Sequence, residues 1–191
     1  KYLPKIRSLF EKSPVVSFNS VAILTGNKAY AKQVLRLLIK KGVVKRICKG
    51  YYSRYEDPSL FVFCCKPAYL GLYDALSFHN LWEQETVPVI ITSARVRQGL
   101  RNVFDTNLIV KRIKTKYIFG FDYYKHDSFS LPYSDLEKTL IDFVYFKEKL
   151  DKKILKKLVK KIDKKRLKSY LKVYPKKIKE KILNLVNKYK V

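Results

Sequence analysis

Positive charge is distributed unevenly along this chain, and that distribution limits its fold more than any single motif. Residues 1–66 carry 14 basic and 3 acidic side chains, and residues 151–191 carry 17 and 3, net charges of +11 and +14. Residues 67–150 carry 11 basic and 10 acidic side chains, a net charge of +1. The two ends therefore carry the positive field, and this asymmetry is a better domain signal than any linker, because the chain has no Gly/Ser-rich or low-complexity spacer.

The same distribution predicts three units: residues 1–57, 58–150 and 151–191. The first boundary falls at Tyr55–Ser59, where the first acidic pair of the chain precedes a helix-stopping proline. We expect an α+β fold with an N-terminal winged helix-turn-helix, a central mixed α/β module with a small sheet, and basic C-terminal helices. In the central module we expect a helix over residues 68–81 and strands at residues 87–92, 108–113 and 117–124, the last broken or bulged at Gly120. A further helix there is capped by Ser134 or Asp135.

The net charge of +26 also restricts the partners of the chain. Seven Glu are too few for the balanced ion-pair networks of heat-adapted proteins, so the excess charge acts outward. A polyanion would neutralise it, with nucleic acid first and an anionic membrane surface second. A lysine-rich composition with only 6 Gly is also what AT-rich coding produces, which weakens this inference.

Residues 1–41 have the pattern of three helices. Apolar residues at Leu3, Ile6 and Phe10 predict an amphipathic helix that stops before Pro14, and residues 15–18 could add a short strand. Asn19 or Ser17 can cap a second helix that Gly26 ends. The third helix runs from Asn27 to Lys41, with one apolar stripe formed by Ala31, Val34, Leu35, Leu38 and Ile39.

A β-hairpin is predicted after Gly42, with strands at residues 43–47 and 51–54 and a tight turn at Gly50. Helix, turn, helix and basic hairpin is the order of a winged helix, which binds duplex DNA. Ten side chains of the third helix and the hairpin are the candidate DNA-binding residues: Asn27, Lys28, Tyr30, Lys32, Gln33, Arg36, Lys40, Lys45, Arg46 and Lys49.

These candidates differ in expected role. The N-terminal half of a recognition helix meets base edges, so Asn27, Lys28, Tyr30 and Lys32 are expected to read sequence, with Arg36 one turn further on. Lys40 and the hairpin cations are expected to contact phosphates, which fixes register without reading sequence. The alternative is that all are solvated charges on a small helical domain.

No catalytic, cofactor or metal site is predicted. The chain has no glycine cluster for phosphate and no nucleophile elbow, and its three cysteines and two histidines lack zinc spacing. Asp135, Glu137 and Asp142 fall on one predicted helix, where structural roles are favoured over catalysis. Three thiols without framework spacing, and no apolar run of membrane length, predict a cytoplasmic protein.

Three segments resemble the AbiEi family of winged-helix antitoxins and predicted regulators of viral-defence systems. Residues 68–81 (AYLGLYDALSFHNL), followed by PVIIT at 88–92, are similar to its central block. LPYSDLEKTLID at 131–142 is similar to its "EKALlD" helix, and Gly42 with KGYY at 49–52 to its winged-helix ending. Asp74 and Asn80 depart from the Ser and Gly usual in the family.

The resemblance implies a repressor that binds inverted repeats in its own promoter. In paired systems it also implies neutralisation of a nucleotidyltransferase-like toxin, so an antitoxin acting mainly by protein–protein contact is the alternative function. We expect a homodimer on a palindromic or repeated operator, because one winged helix reads too few bases to be selective.

The last unit is predicted to form basic amphipathic helices. Apolar residues 154, 155, 158, 159 and 162 alternate with lysine pairs, and Pro175 separates a further helix. The cationic faces could contact DNA backbone, remain merely solvated, or lie on anionic lipid, in that order of preference.

Overall fold

The computed structural model describes residues 2–189 as an α+β fold. Its N-terminal part alternates helices with short strands of a three-stranded antiparallel sheet, in which β3 lies between β1 and β2. The elements are α1 (Leu3–Lys12), β1 (Val16–Ser17), α2 (Phe18–Thr25), α3 (Lys28–Lys40), β2 (Lys45–Cys48) and β3 (Tyr51–Ser53).

One apolar core holds these N-terminal elements together. Ile6 and Phe10 of α1, Val21 of α2, and Leu35 and Leu38 of α3 are buried in it. Ser17 caps α2 by accepting the Ser20 N–H at 3.0 Å, and Gly26 ends that helix at φ 67°. The turn between α2 and α3 thus follows from a cap and a glycine that the sequence displays.

The middle of the chain forms a six-stranded mixed sheet in the order β6-β7-β5-β4-β9-β8. A 3-10 helix, Pro58–Cys64, precedes it. The strands are β4 (Ala68–Leu70), β5 (Val89–Thr92), β6 (Gly99–Val103), β7 (Thr106–Arg112), β8 (Phe121–His126) and β9 (Phe129–Ser134), with helix α4 (Leu72–Phe78) between β4 and β5.

Both faces of this sheet are covered. Tyr69 and Ile91 point into one core, which also contains helix α5 (Leu136–Tyr145) and the C-terminal helices α6 (Lys152–Lys161), α7 (Lys164–Leu171) and α8 (Lys176–Lys188). Leu70 and Ile90, the chain neighbours of Tyr69 and Ile91, point into a second core with the 3-10 helix and Ile47 of β2. Strand side chains alternate between faces, so the N-terminal elements and the C-terminal helices lie on opposite sides of the sheet.

The sheet is larger than predicted, and the predicted helix over residues 68–81 is wrong at its start. Ala68–Leu70 is a strand, Gly71 precedes the helix, and Leu72 has φ 55°. A Cβ on Gly71 would lie 2.5 Å from Ile91 Cδ1, so the close approach of β5 requires glycine. The strand predicted over residues 117–124 is interrupted at Gly120, as predicted, since Gly120 at φ 71° separates a 3-10 turn from β8, and only the part after Gly120 is a strand.

Candidate nucleic-acid interface

The cationic side of α3 faces solvent. Lys28, Lys32, Gln33, Arg36 and Lys40 are exposed, whereas Ala31, Val34, Leu35 and Leu38 of the same helix are buried. None of the four cations forms an ion pair within residues 2–189. Lys32, Gln33, Arg36 and Lys40 follow helical spacing and form one stripe. The helix therefore presents a continuous basic surface that no other described element covers.

Ile39 departs from the predicted apolar stripe, with 39% of its surface exposed. It follows Leu38 directly, and consecutive helix residues are about 100° apart around the axis. Ile39 thus lies at the edge of the buried side, next to the cationic surface.

Asn27 caps α3. Its Oδ1 accepts the Tyr30 N–H at 3.0 Å, which satisfies one of the unpaired donors of the first turn. Bidentate pairing with adenine needs both the oxygen and the nitrogen of the amide. In this geometry one of the two lone pairs of the oxygen is engaged, so Asn27 could pair with adenine only if its oxygen accepted a second hydrogen bond.

Tyr30 is half-buried, and its ring packs edge-on against Tyr2 of the chain start at 6.0 Å between centroids. It lies two residues before Lys32 of the cationic stripe. Tyr30 thus packs against Tyr2, and the same side chain is the one predicted to read bases.

The hairpin is fixed to the start of α2. Val16 of β1 pairs with Tyr52 of β3, and the Phe18 N–H donates to the Gly50 carbonyl at 2.7 Å. Gly50, at φ 84°, forms the turn. Because the turn bonds to the residue that begins α2, the hairpin and the helices keep one relative orientation.

The three hairpin cations have different environments. Lys45 forms an ion pair with Glu56 at 2.5 Å, although both side chains are about half exposed. Arg46 donates its Nε to the Cys48 carbonyl at 3.2 Å, which holds the guanidinium near the turn. Lys49 occupies the turn itself, is exposed and has no ion-pair partner within residues 2–189. Of the three, Lys49 is the most available to a phosphate.

Sequence reasoning missed Ala29. It is exposed and stands one turn before Lys32 and Gln33, near the N-terminal end of the basic stripe. A methyl side chain permits close approach to a groove floor and can contact a thymine methyl. Its spacing from Lys32 was the signal that could have identified it.

The acids of the 131–142 motif hold the fold together. Asp135 caps α5 and accepts the Tyr170 hydroxyl at 2.7 Å, and buried Glu137 accepts the Asp163 N–H that begins α7. Asp142 is fully buried and accepts the Tyr69 hydroxyl at 2.7 Å. These contacts join α5 to the sheet and to α7, in agreement with the predicted structural role.

Lys138 is the buried partner of Asp142. Its ammonium bonds the Asp142 carboxylate, donates to the Tyr174 hydroxyl at 3.2 Å and lies 5.3 Å from the centroid of the Tyr69 ring. Burial lowers the pKa of Lys138 and raises the pKa of Asp142, although each attracts the charged form of the other. The pair, with its two tyrosines, connects the central sheet to the C-terminal helices.

Asp74, the departure from the family pattern on α4, is poorly satisfied. Its Oδ2 is buried without a hydrogen-bond partner in the part of the chain that the structure describes. Burial raises the pKa of Asp74 to about 7, a Val89 backbone N–H opposes the rise, and the charge of Asp57 adds to it. The carboxyl therefore takes up a proton near neutral pH.

Tyr73 and Trp82 are aromatic residues of a kind that often anchors a partner protein, but both are mostly engaged within the chain. Tyr73 and Trp82 pack at 4.7 Å between centroids, both half-buried, and the Tyr73 hydroxyl bonds the Lys149 carbonyl. His79 Nε2 lies 2.8 Å from the Ser134 carbonyl. These side chains belong to the edge of the core rather than to a separate site.

The helices between residues 2 and 189 are too short or too polar to cross a bilayer. No three His, Cys, Asp or Glu side chains of that span come together as a metal site.

Comparisons with known proteins bear on the fold. No family model matches the chain, and no curated protein matches it. Among solved structures, the chain is similar to the Rv2827c protein from Mycobacterium tuberculosis, with a TM-score of 0.60 and 15% sequence identity over 99% of this chain and 77% of that one. At this identity the likeness shows that the arrangement recurs in another protein, from the N-terminal helices to the C-terminal ones.

Proposed function

We propose that the chain is a sequence-specific duplex-DNA-binding transcriptional regulator whose residues 1–57 form a winged helix-turn-helix. The order α1, β1, α2, α3, β2, β3, with the hairpin completed by β1, supports this proposal. In such domains the second helix of the helix-turn-helix enters the major groove, and here that helix is α3.

The observation that carries the proposal is the free basic side of α3. Lys32, Gln33 and Arg36 are all exposed, so no described element covers the side of α3 that would enter a groove. Had this side been packed against the central sheet, no groove could have received it. The hairpin turn with Lys49, held in place by the Phe18–Gly50 bond, is suited to a neighbouring phosphate.

The resemblance to AbiEi regulators extends the proposal to autorepression through inverted repeats. A homodimer would place two copies of α3 one helical turn of DNA apart, about 34–36 Å. Neutralisation of a nucleotidyltransferase-like toxin stays a separate prediction, tested by co-expression with the neighbouring gene product.

The experiment is a binding titration with the duplex upstream of the gene and a shuffled duplex of the same composition. We expect tighter binding to the upstream duplex, by a ratio that persists across salt concentrations. Lys32→Ala should reduce this ratio, because it removes a base-reading candidate. Equal affinity for both duplexes at every salt concentration would refute sequence-specific regulation.

A further inference from the structure

The two basic regions of the chain are separated by the central sheet. Ile47 of β2 and the 3-10 helix pack on the face to which Leu70 and Ile90 point. The C-terminal helices pack on the opposite face, where Tyr69 and Ile91 point. The two basic regions therefore lie on opposite sides of the sheet.

The C-terminal helices turn their apolar residues inward and their cations outward. Leu155, Leu158 and Val159 of α6 are buried, whereas Lys153, Lys156, Lys157 and Lys160 are exposed. These four lysines recur at i, i+3, i+4 and i+7 and form one stripe. In α7, Lys164 and Lys168 are exposed as well.

Few acids offset this charge. Asp151 and Asp163 cap α6 and α7, and Glu180 pairs with Lys176 at 3.7 Å. Arg166 pairs with Glu137 at 3.7 Å. Within residues 2–189, no lysine of the α6 stripe has an ion-pair partner. Four aligned cations without counter-charges form a surface complementary to a regular polyanion.

We propose that the outward side of α6 and α7 is a second binding surface for the phosphate backbone of duplex DNA, and that it holds a different DNA segment from the one at α3. The choice of duplex DNA as the polyanion rests on the function proposed above. Lysines act here as point charges, and the surface has no Asn, Gln or Arg stripe to read bases. Binding at α6 is therefore independent of sequence, and one chain can bridge two duplexes.

The test uses the full chain and two matched variants that each remove four charges. One replaces Lys153, Lys156, Lys157 and Lys160 with Gln, and the other replaces Lys28, Lys32, Arg36 and Lys40 with Gln. Gln is a good helix former and all eight positions are exposed, so both variants should keep the helicity of the parent chain by circular dichroism.

The probes are two duplexes of about 15 base pairs, one and a half turns, each carrying a different fluorophore. We expect the parent chain to bind two duplexes per chain and to bring the two fluorophores together. A homodimer could bring two duplexes together through its two copies of α3 alone, so the deciding readout is the number of duplexes bound per chain. The α6 variant should bind one duplex per chain, with the upstream sequence still preferred. Its total salt slope should fall by about 2–4, because each lost phosphate contact contributes about 0.9.

The outcomes separate this inference from the proposed function. If the α6 variant keeps the parent's stoichiometry, bridging and salt slope, the second surface does not exist, even where α3 reads the operator. If the parent binds only one duplex, the two surfaces are not independent and the inference fails. Binding of the α6 side to anionic vesicles, with no loss of duplex binding in the α6 variant, would also overturn it. Unchanged DNA binding in the α3 variant would refute the proposed function instead.

Discussion

Replacement of Asp74 with Asn should stabilise the protein at neutral pH and leave it unchanged in acid. The Asp74 carboxyl has a buried oxygen without a partner, and its pKa is raised from 3.8 to about 7. Between these values the folded protein holds a proton that the unfolded chain has released, so stability falls as pH rises. Each pKa unit corresponds to about 1.4 kcal/mol, which gives a cost of up to about 4 kcal/mol at pH 7 and above.

Asn resembles the protonated acid, so Asp74→Asn should lack this cost at every pH. Urea unfolding of both proteins from pH 4 to pH 8 measures the difference. The variant should gain about 1.4 kcal/mol over the parent for each pH unit between 4 and 7, and the gap should then level off. Asp122→Asn, at an exposed position of β8, is the control and should show no such trend. A gap independent of pH would refute the reasoning.

Three further predictions concern the interface, the core and the thiols. Arg36→Ala should cost about 1–3 kcal/mol at the operator and relax preference at one base, whereas Lys49→Ala should weaken all duplexes alike, as titrations against base-substituted duplexes would show. Lys138→Met should destabilise the fold by about 3–5 kcal/mol in urea unfolding, because it leaves a buried carboxylate without its cation; a loss below about 1 kcal/mol would contradict this. Cys48 should react with iodoacetamide before Cys65, as peptide mapping would show. A hydrogen bond with the Cys64 thiol lowers the pKa of Cys48, whereas burial raises the pKa of Cys65 to about 12. The reverse order of reaction would contradict this.

The helices at both ends could be predicted because local signals set them. Ser17, Asn27 and Asp151 cap their helices by side-chain hydrogen bonds, and glycine or proline marks the ends. Apolar spacing correctly predicted the buried side of α3, except for Ile39. The exposure of the cations on the opposite side of the helix could be predicted from the same spacing. The cap of α3 engages the Asn27 side-chain oxygen, which pairing with adenine would also need. Residue type alone does not reveal this competition between folding and binding.

The central sheet was harder to predict because long-range pairing decides its strands. Ala68–Leu70 has the composition of a helix start and becomes a strand by pairing with β5. β9 contains Pro132, and a proline argues against a strand inside a sheet because it has no N–H to donate. The strand forms nevertheless, since β4 pairs with β9 only at Tyr133. β6 lies at an edge and is mostly exposed, so it has no apolar alternation to detect. The pairing of Lys45 with Glu56 depends likewise on the path of the chain after the hairpin.

The hydroxyl of Tyr174 reaches Lys138 from beyond the last predicted boundary, and seven buried residues of the C-terminal helices share a core with Tyr69. A chain that ended near residue 150 would expose the apolar face of the sheet that the C-terminal helices cover. Its buried Lys138 would also lack the hydrogen bond to Tyr174. Such a product should be degraded rather than persist as a shorter protein. The C-terminal helices are therefore needed for the stability of the central sheet, apart from any role of their outward lysines.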